Sequence, residues 1–286
     1  QSDRYGFNNP DDEWESKEVE YLLVGDSFPH GACVNRPHDF SSVLRSLSNK
    51  SVINLGYSGN GPLNEYATLR EYMPKNVKNI IWMYYGNDLN DLELELKNKI
   101  LIKYLEDKKF NQNLKNRQNE INQFLKLKIK TEIRLVEKNE DYWRDFFSNK
   151  KVFLRFIRLN EIKNFFKSLL KKDNKQIIIE KNLQELEKIL VLTKKLAAEN
   201  NSNLYFVYLG SYYGQSSPKF FKLGYSKQYL RIINLANKLD LALIDTNKDF
   251  FFKEKKPTNY FPFNKYGHYT VDGYNKLSTL IYQLAK

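Results

Sequence analysis

The stretch Tyr21-Leu22-Leu23-Val24-Gly25-Asp26-Ser27-Phe28 decides the architecture. An apolar run goes unbroken into a glycine, and an acidic residue and a serine follow. A strict alternation would mark a strand with one wet face. A continuous run marks a strand covered on both faces, as in a parallel sheet. Two similar runs, rich in β-branched and aromatic residues, lie at 52–55 and 80–85. Helix-like stretches at about 40–47 and 63–72 separate the three. This alternation predicts βαβαβ, a parallel sheet with helices on both faces.

The rhythm returns late in the chain. Strands are expected at 204–209 and 241–245, with a helix between them carrying Leu230, Ile233 and Leu235, and a last helix over 271–284. Between about 91 and 200 the pattern is helical. Ile121, Leu125, Ile129, Ile133 and Val136 recur at helical spacing, as do Leu183, Leu186, Leu190 and Leu196. The whole of 1–286 therefore reads as one α/β domain holding a helical insertion over 91–200.

Composition supports a globular chain. Hydrophobic residues make up 41% and aromatics 15% of 286 residues, including 20 Tyr and 19 Phe. No apolar run approaches the roughly 20 residues that span a bilayer. The sequence opens on Gln1 and not on Met, which leaves room upstream for a leader or an anchor. The formal net charge is +12, which suits an acidic partner. Much of the excess sits in the insertion, where residues 91–180 hold 22 Lys and Arg against 14 Asp and Glu. There the stretch 152–170 interleaves Phe153, Phe156, Ile157, Phe165 and Phe166 with Arg155, Arg158, Lys163 and Lys167. Such a stretch more often packs on its own core with its cations in water, and it also suits association with an anionic membrane surface. No zinc finger, RNA-binding signature or phosphate loop occurs, so nucleic acid is not expected as a partner. One cysteine, Cys33, excludes an internal disulfide, and with three scattered histidines it offers no metal-ligand cluster. No cofactor is called for.

The chemistry lies at strand ends. Ser27 follows the first strand, at the carboxyl edge where open α/β sheets bind ligands. After the second strand comes Gly56-Tyr57-Ser58-Gly59-Asn60-Gly61, whose glycines suit close backbone approach and expose N–H groups that can hold a developing oxyanion. After the third comes Gly86-Asn87-Asp88. The Asn87 amide is a neutral donor suited to the same task, and Asp88 suits a helix N-cap. Gly267-His268-Tyr269 precedes the last helix, placing a neutral imidazole on the edge that carries Ser27, able to take a hydroxyl proton and return it to a leaving group. His30 and Cys33, close behind Ser27, are expected to pack beneath the site.

Taken together, Gly25-Asp26-Ser27-Phe28, Gly59, Gly86-Asn87-Asp88 and His268 resemble the four motif blocks of the SGNH/GDSL hydrolase superfamily, over roughly the three core strands and the C-terminal helix. The resemblance implies a flavodoxin-like three-layer sandwich of about five parallel strands. It implies Ser27 as nucleophile, His268 as its base, and an oxyanion hole made by the Ser27 N–H, the Gly59 N–H and the Asn87 side chain. The stretch Tyr5-Gly6-Phe7-Asn8-Asn9-Pro10 also resembles the lead-in of bacterial envelope-associated members, pointing to the cell envelope or periplasm over the cytoplasm. The implied activity is ester hydrolysis on an acylated glycan or lipid, with an anionic one suiting the charge. An O-acyltransferase acting on an envelope polysaccharide uses the same constellation. One departure stands out: the family carries an Asp three residues before the His, and here that position is Lys265. Asn264, a backbone carbonyl, Asp245 and Asp272 are the open alternatives for orienting the imidazole. The missing Asp also leaves a non-catalytic binding module as the rival reading.

Overall fold

A computed structural model of the chain describes residues 2–148, 172–212, 226–265 and 267–285. Its centre is a five-stranded, all-parallel sheet of β1 (Val19–Gly25), β2 (Val52–Asn54), β3 (Val77–Tyr84), β4 (Asn203–Tyr208) and β5 (Ala242–Asp245) in the order β2-β1-β3-β4-β5. Tyr21 sits opposite Val52 on one side and Asn79 on the other. The expected strands are all present, with ends shifted by up to three residues.

The continuous apolar runs are explained by cover on both faces. Tyr21, Leu23, Ile81, Met83 and Val207 share a core with Phe40, Leu44, Leu277 and Ile281. These helical residues come from α2 (Phe40–Ser48) and, at the end of the chain, from the helix over Val271–Leu284, which pack together. By the two-residue period of a strand, Leu22, Val24, Ile80, Trp82 and Phe206 face the opposite way, and each is fully buried there as well. The other helices are α1 (Ser27–His30), α3 (Pro62–Tyr72), α4 (Asp88–Glu95), α5 (Lys99–Glu106), α6 (Gln118–Ser148), α7 (Lys172–Glu199), α8 (Ser226–Lys238) and α9 (Thr246–Asp249), so that Val271–Leu284 is α10.

The helix expected between β4 and β5 is present as α8. On α8 the buried residues are Tyr229, Ile232, Leu235 and Ala236, while Leu230 is 53% exposed. The helix turns its Tyr229–Ile232–Ala236 stripe inward because the Tyr229 hydroxyl donates to the Asp245 carboxylate at the end of β5. Leu230, one residue on, is rotated away.

The chain divides into two compact units, Gln1–Gln112 with Asn182–Lys286, and Asn113–Lys181. The first unit takes in α5 and the later part of α7, both within the expected 91–200 insertion, and α4, which begins just before it. Leu92, Tyr104, Leu186 and Leu190 are buried, and Asn182 donates to the Leu89 carbonyl at 3.0 Å. The second unit contains a 3-10 turn over Leu114–Arg117, α6 and the start of α7. On α6 the side chains of Leu125, Ile129 and Ile133 are exposed. The basic stretch 152–170 lies outside the described residues. Among the described residues no helix is long and apolar enough to cross a membrane.

Candidate active site

The strand order places a crevice between β1 and β3. Strand β2 lies on one side of β1 and β3 on the other, so the connections leaving β1 and β3 diverge over opposite faces of the sheet. A crevice opens there at the carboxyl edge, as at the FMN site of the flavodoxin-like order. Ser27 follows β1 and Asn87 follows β3. Gly25 must approach β3 closely: with φ +151°, an added Cβ would stand 2.6 Å from the Met83 carbonyl oxygen. Gly56, after β2, leaves room for the chain behind Ser27, since a Cβ there would stand 2.7 Å from the Pro29 ring.

His268 reaches this edge from the far end of the chain. Its Nε2 lies 2.7 Å from the Ser27 Oγ, across 241 positions. The imidazole packs against Phe28, with ring centroids 4.6 Å apart. Burial lowers its pKa below the ordinary 6.5, and the Asp26 carboxylate partly offsets this. At neutral pH the ring is therefore uncharged and able to accept a proton.

The Gly59 and Asn87 donors converge as well, but they are occupied. The Gly59 N–H donates to Asp26 Oδ1 at 2.5 Å. Asn87 Nδ2 lies 3.2 Å from Asp26 Oδ2 and 2.6 Å from Asp91 Oδ2. The Ser27 hydroxyl lies 3.2 Å from Asp26 Oδ2, a longer contact than the one to His268. Asp26 thus rests a carboxylate on the donors that the motif resemblance assigns to an oxyanion, and sequence reasoning had given Asp26 no such part. Asn87 holds the N-cap position of α4, yet its side chain caps nothing. Asp88, expected as a cap, instead accepts the Tyr85 N–H at 2.8 Å.

Behind these donors lies a cluster of carboxyl groups. Asp26, Asp88 and Asp91 bring oxygens within 4.8 Å of one another, the grouping among the described residues able to hold a metal ion. Burial pushes the Asp88 and Glu65 carboxyls well above the carboxylate range, with Asp26 and Glu95 adding to the rise. Protonation is thus a second way for the cluster to limit its charge. The Glu95 carboxylate accepts the N–H groups of Gly61 and Leu63 at 2.7 and 3.0 Å, fixing the loop after β2 to α4.

Among solved structures the chain is similar to AlAXEase, an acetyl xylan esterase, at 11% identity and TM-score 0.49, covering 94% of this chain and 100% of that one. It is similar to Axe2, an acetylxylan esterase from Geobacillus stearothermophilus, at 13% identity and TM-score 0.47, covering 95% of each chain. It is also similar to AlinE4, an SGNH-hydrolase family esterase, at 14% identity and TM-score 0.41, covering 94% and 95%. No family model matches the chain, and no curated protein matches it either.

The second ring nitrogen of His268 meets an atom outside the side chains expected to orient it. Asp245 accepts the Tyr229 hydroxyl and the N–H groups of Asn247 and Lys248, so it caps α9. Asn264, Lys265 and Asp272 are exposed. Among the described residues the hydrogen-bonding contact of His268 Nδ1 is Cys33 Sγ, at 3.6 Å. Cys33 does not pack beneath the site; it is exposed and stands beside the imidazole. His30 takes a different place: its Nδ1 accepts the Ser58 N–H at 3.0 Å, which steadies the loop carrying Gly59. The lead-in segment braces the same loops. Asn9 exchanges hydrogen bonds with the Asn54 backbone at 2.8 and 2.9 Å, and Asn8 donates to the His30 carbonyl at 2.8 Å.

Proposed function

We propose that this protein is a serine-dependent ester hydrolase of the SGNH/GDSL type, with Ser27 as nucleophile and His268 as base. The observation that carries the reading is the 2.7 Å contact between Ser27 Oγ and His268 Nε2 at the carboxyl edge of a parallel sheet. A hydroxyl within hydrogen-bond reach of a neutral, half-buried imidazole is the minimal nucleophile–base unit.

The reaction proceeds in two steps. His268 Nε2 takes the Ser27 hydroxyl proton as Oγ attacks the ester carbonyl, and the tetrahedral oxyanion forms. The Gly59 N–H and Asn87 Nδ2 already meet at an anionic oxygen of Asp26, so their aim suits that charge. The substrate oxyanion takes the place of a carboxylate oxygen there, with the Ser27 N–H at the first position of α1 as a further donor. The His268 imidazolium then protonates the leaving alkoxide, the acyl-enzyme remains, and water attacks it with His268 again as base.

A cleft of about 550 Å³ lies beside the loop after β2, lined by Asn8, His30, Asn35, Arg36 and Ser58 among others. Its polar lining and the net charge of +12 favour a polar acylated substrate, an acylated glycan with anionic groups ahead of a plain lipid. The lead-in at Tyr5–Pro10 supports a place in the bacterial envelope.

The test is labelling with a fluorophosphonate probe, followed by acetyl release from acetylated glycans. Wild type forms a Ser27 adduct, and Ser27→Ala abolishes it and lowers ester turnover by roughly 10³-fold or more. A wild-type protein left unlabelled beside a reactive control esterase overturns the proposal. Acetyl release that requires an added polysaccharide acceptor reassigns the reaction to acyl transfer.

A further inference from the structure

Among the described residues the Ser27–His268 pair has no carboxylate where its motif resemblance leads one to expect one, and a sulfur stands in that place. For Nε2 to accept the Ser27 hydroxyl proton, the one proton of the neutral ring must sit on Nδ1. An imidazole with nothing at Nδ1 is free to turn, or to carry its proton on Nε2, and in either case Ser27 is not activated. The atom that meets Nδ1 is Cys33 Sγ at 3.6 Å, an ordinary length for an N–H to sulfur contact. We infer that Cys33 is the positioning residue of this pair, its Sγ accepting the His268 Nδ1–H where a carboxylate would otherwise act. The inference rests on the reading of Ser27 as nucleophile given above.

The loop that carries Cys33 is built to hold the sulfur there. Gly31 N–H donates to the Phe28 carbonyl at 2.9 Å and Ala32 N–H to the Ser27 carbonyl at 3.0 Å, so the segment is tied to the nucleophile's own turn. The hydroxyl of Tyr274, on α10, donates to the Ala32 carbonyl at 3.0 Å. Tyr274 is fully buried and lies six residues after His268, so one anchor serves both partners. Cys33 itself has φ +70°, in the left-handed region that side chains with a Cβ disfavour. Phe28 holds one face of the ring, and the pinned loop holds the backbone that carries the sulfur.

The chemistry of sulfur sets what this arrangement gives. During attack the proton passes from Ser27 Oγ to His268 Nε2 and onward to the leaving alkoxide, while the Nδ1 proton stays directed at Sγ and the sulfur neither gains nor loses one. A thiol sulfur is a weak acceptor without the full charge of a carboxylate. It fixes the tautomer and the ring's direction but does less to stabilise the imidazolium. The pair is thus oriented and slow, and an acid at position 33 accelerates it. Asp tolerates a left-handed backbone better than most residues, and position 33 is exposed, so Cys33→Asp and Cys33→Ala both fold.

The experiment uses the full chain as wild type, Cys33→Ala and Cys33→Asp. The tautomer of His268 is read from its imidazole ¹⁵N shifts, and the second-order rate of fluorophosphonate labelling is read in parallel. In wild type the Nδ1–H form dominates. Cys33→Ala moves the ring toward the Nε2–H form and slows labelling by about 10- to 100-fold, the range seen when the partner that orients a metal-bound imidazole is lost. Cys33→Asp restores the Nδ1–H form and labels faster than wild type. A Cys33→Ala protein with wild-type tautomer and rate overturns the inference, and so does a Cys33→Asp protein no faster than Cys33→Ala. If wild type is never labelled, the nucleophile reading falls by itself. The tautomer shift in Cys33→Ala still supports the Cys33–His268 contact, and its absence refutes it.

Discussion

The Asp26 carboxylate accepts the Gly59 N–H at 2.5 Å. It thereby couples the loop after β1 to the loop after β2, and it brings a negative charge close to two imidazoles. His30 and His268 both have their pKa lowered by burial and raised in part by Asp26. Asp26→Asn removes the charge and keeps the shape, so both histidines should titrate at lower pH than in wild type. Proton NMR of the imidazole resonances measures this, and an unchanged His268 would show that Asp26 is electrostatically remote from the pair.

The depressed pKa of His268 gives the proposed reaction a definite pH range. The base is active only when neutral, and burial holds its value below 6.5. The rate of Ser27 labelling should therefore rise with pH along a single acid limb whose midpoint lies below 6.5 and then level off. A midpoint at or above that value contradicts the burial argument.

Glu65 is 1% exposed and has the carboxyls of Asp88, Glu95 and Asp26 as neighbours. Burial first and these charges second hold it protonated to higher pH in the folded chain than the ordinary 4.5. Its contribution to stability is complete below that value and is lost as pH rises through the raised one. Glu65→Gln should therefore raise the Tm by about 2–4 °C for each kcal/mol relieved at pH 8, with almost no gain at pH 5. Thermal unfolding at both pH values decides; a gain of equal size at each would point to packing instead of charge.

Gly56→Ala introduces a Cβ 2.7 Å from the Pro29 ring and 2.8 Å from the His30 backbone nitrogen. Neither neighbour is a flexible side-chain end, so the turn that carries Ser27 must move. A cost of about 1–3 kcal/mol in denaturant unfolding is expected, together with slower Ser27 labelling. Full stability with slowed labelling would mean that the turn shifts without strain.

The sheet was legible in the sequence because strands buried on both faces leave continuous apolar runs. Those around Leu22, Ile53 and Ile81 could not be read otherwise. That Ser27 and His268 share one edge was legible because each sits at a strand end or loop there, a position that follows from topology alone. What escaped depends on where a side chain points. Cys33 stands only six residues after Ser27, but its partner lies 235 positions away, and no local pattern signals that contact. Asp26 stands in the first motif block with no role of its own there, although its oxygens hold Gly59 and Asn87, residues that follow two other strands.

The span of 241 positions between Ser27 and His268 has a consequence in time. Synthesis delivers the serine early, while the imidazole and the helix bearing Tyr274 come among the last residues of this sequence. A growing chain that has already formed β1, β2 and β3 holds a hydroxyl with no proton acceptor, and the loop at Cys33 lacks the tyrosine that anchors it. Ribosome-bound chains arrested before His268 should be inert toward esters, and reactivity should appear abruptly once α10 docks. The long-range pairing that makes such a topology slow to fold thus keeps Ser27 apart from its imidazole until α10 docks.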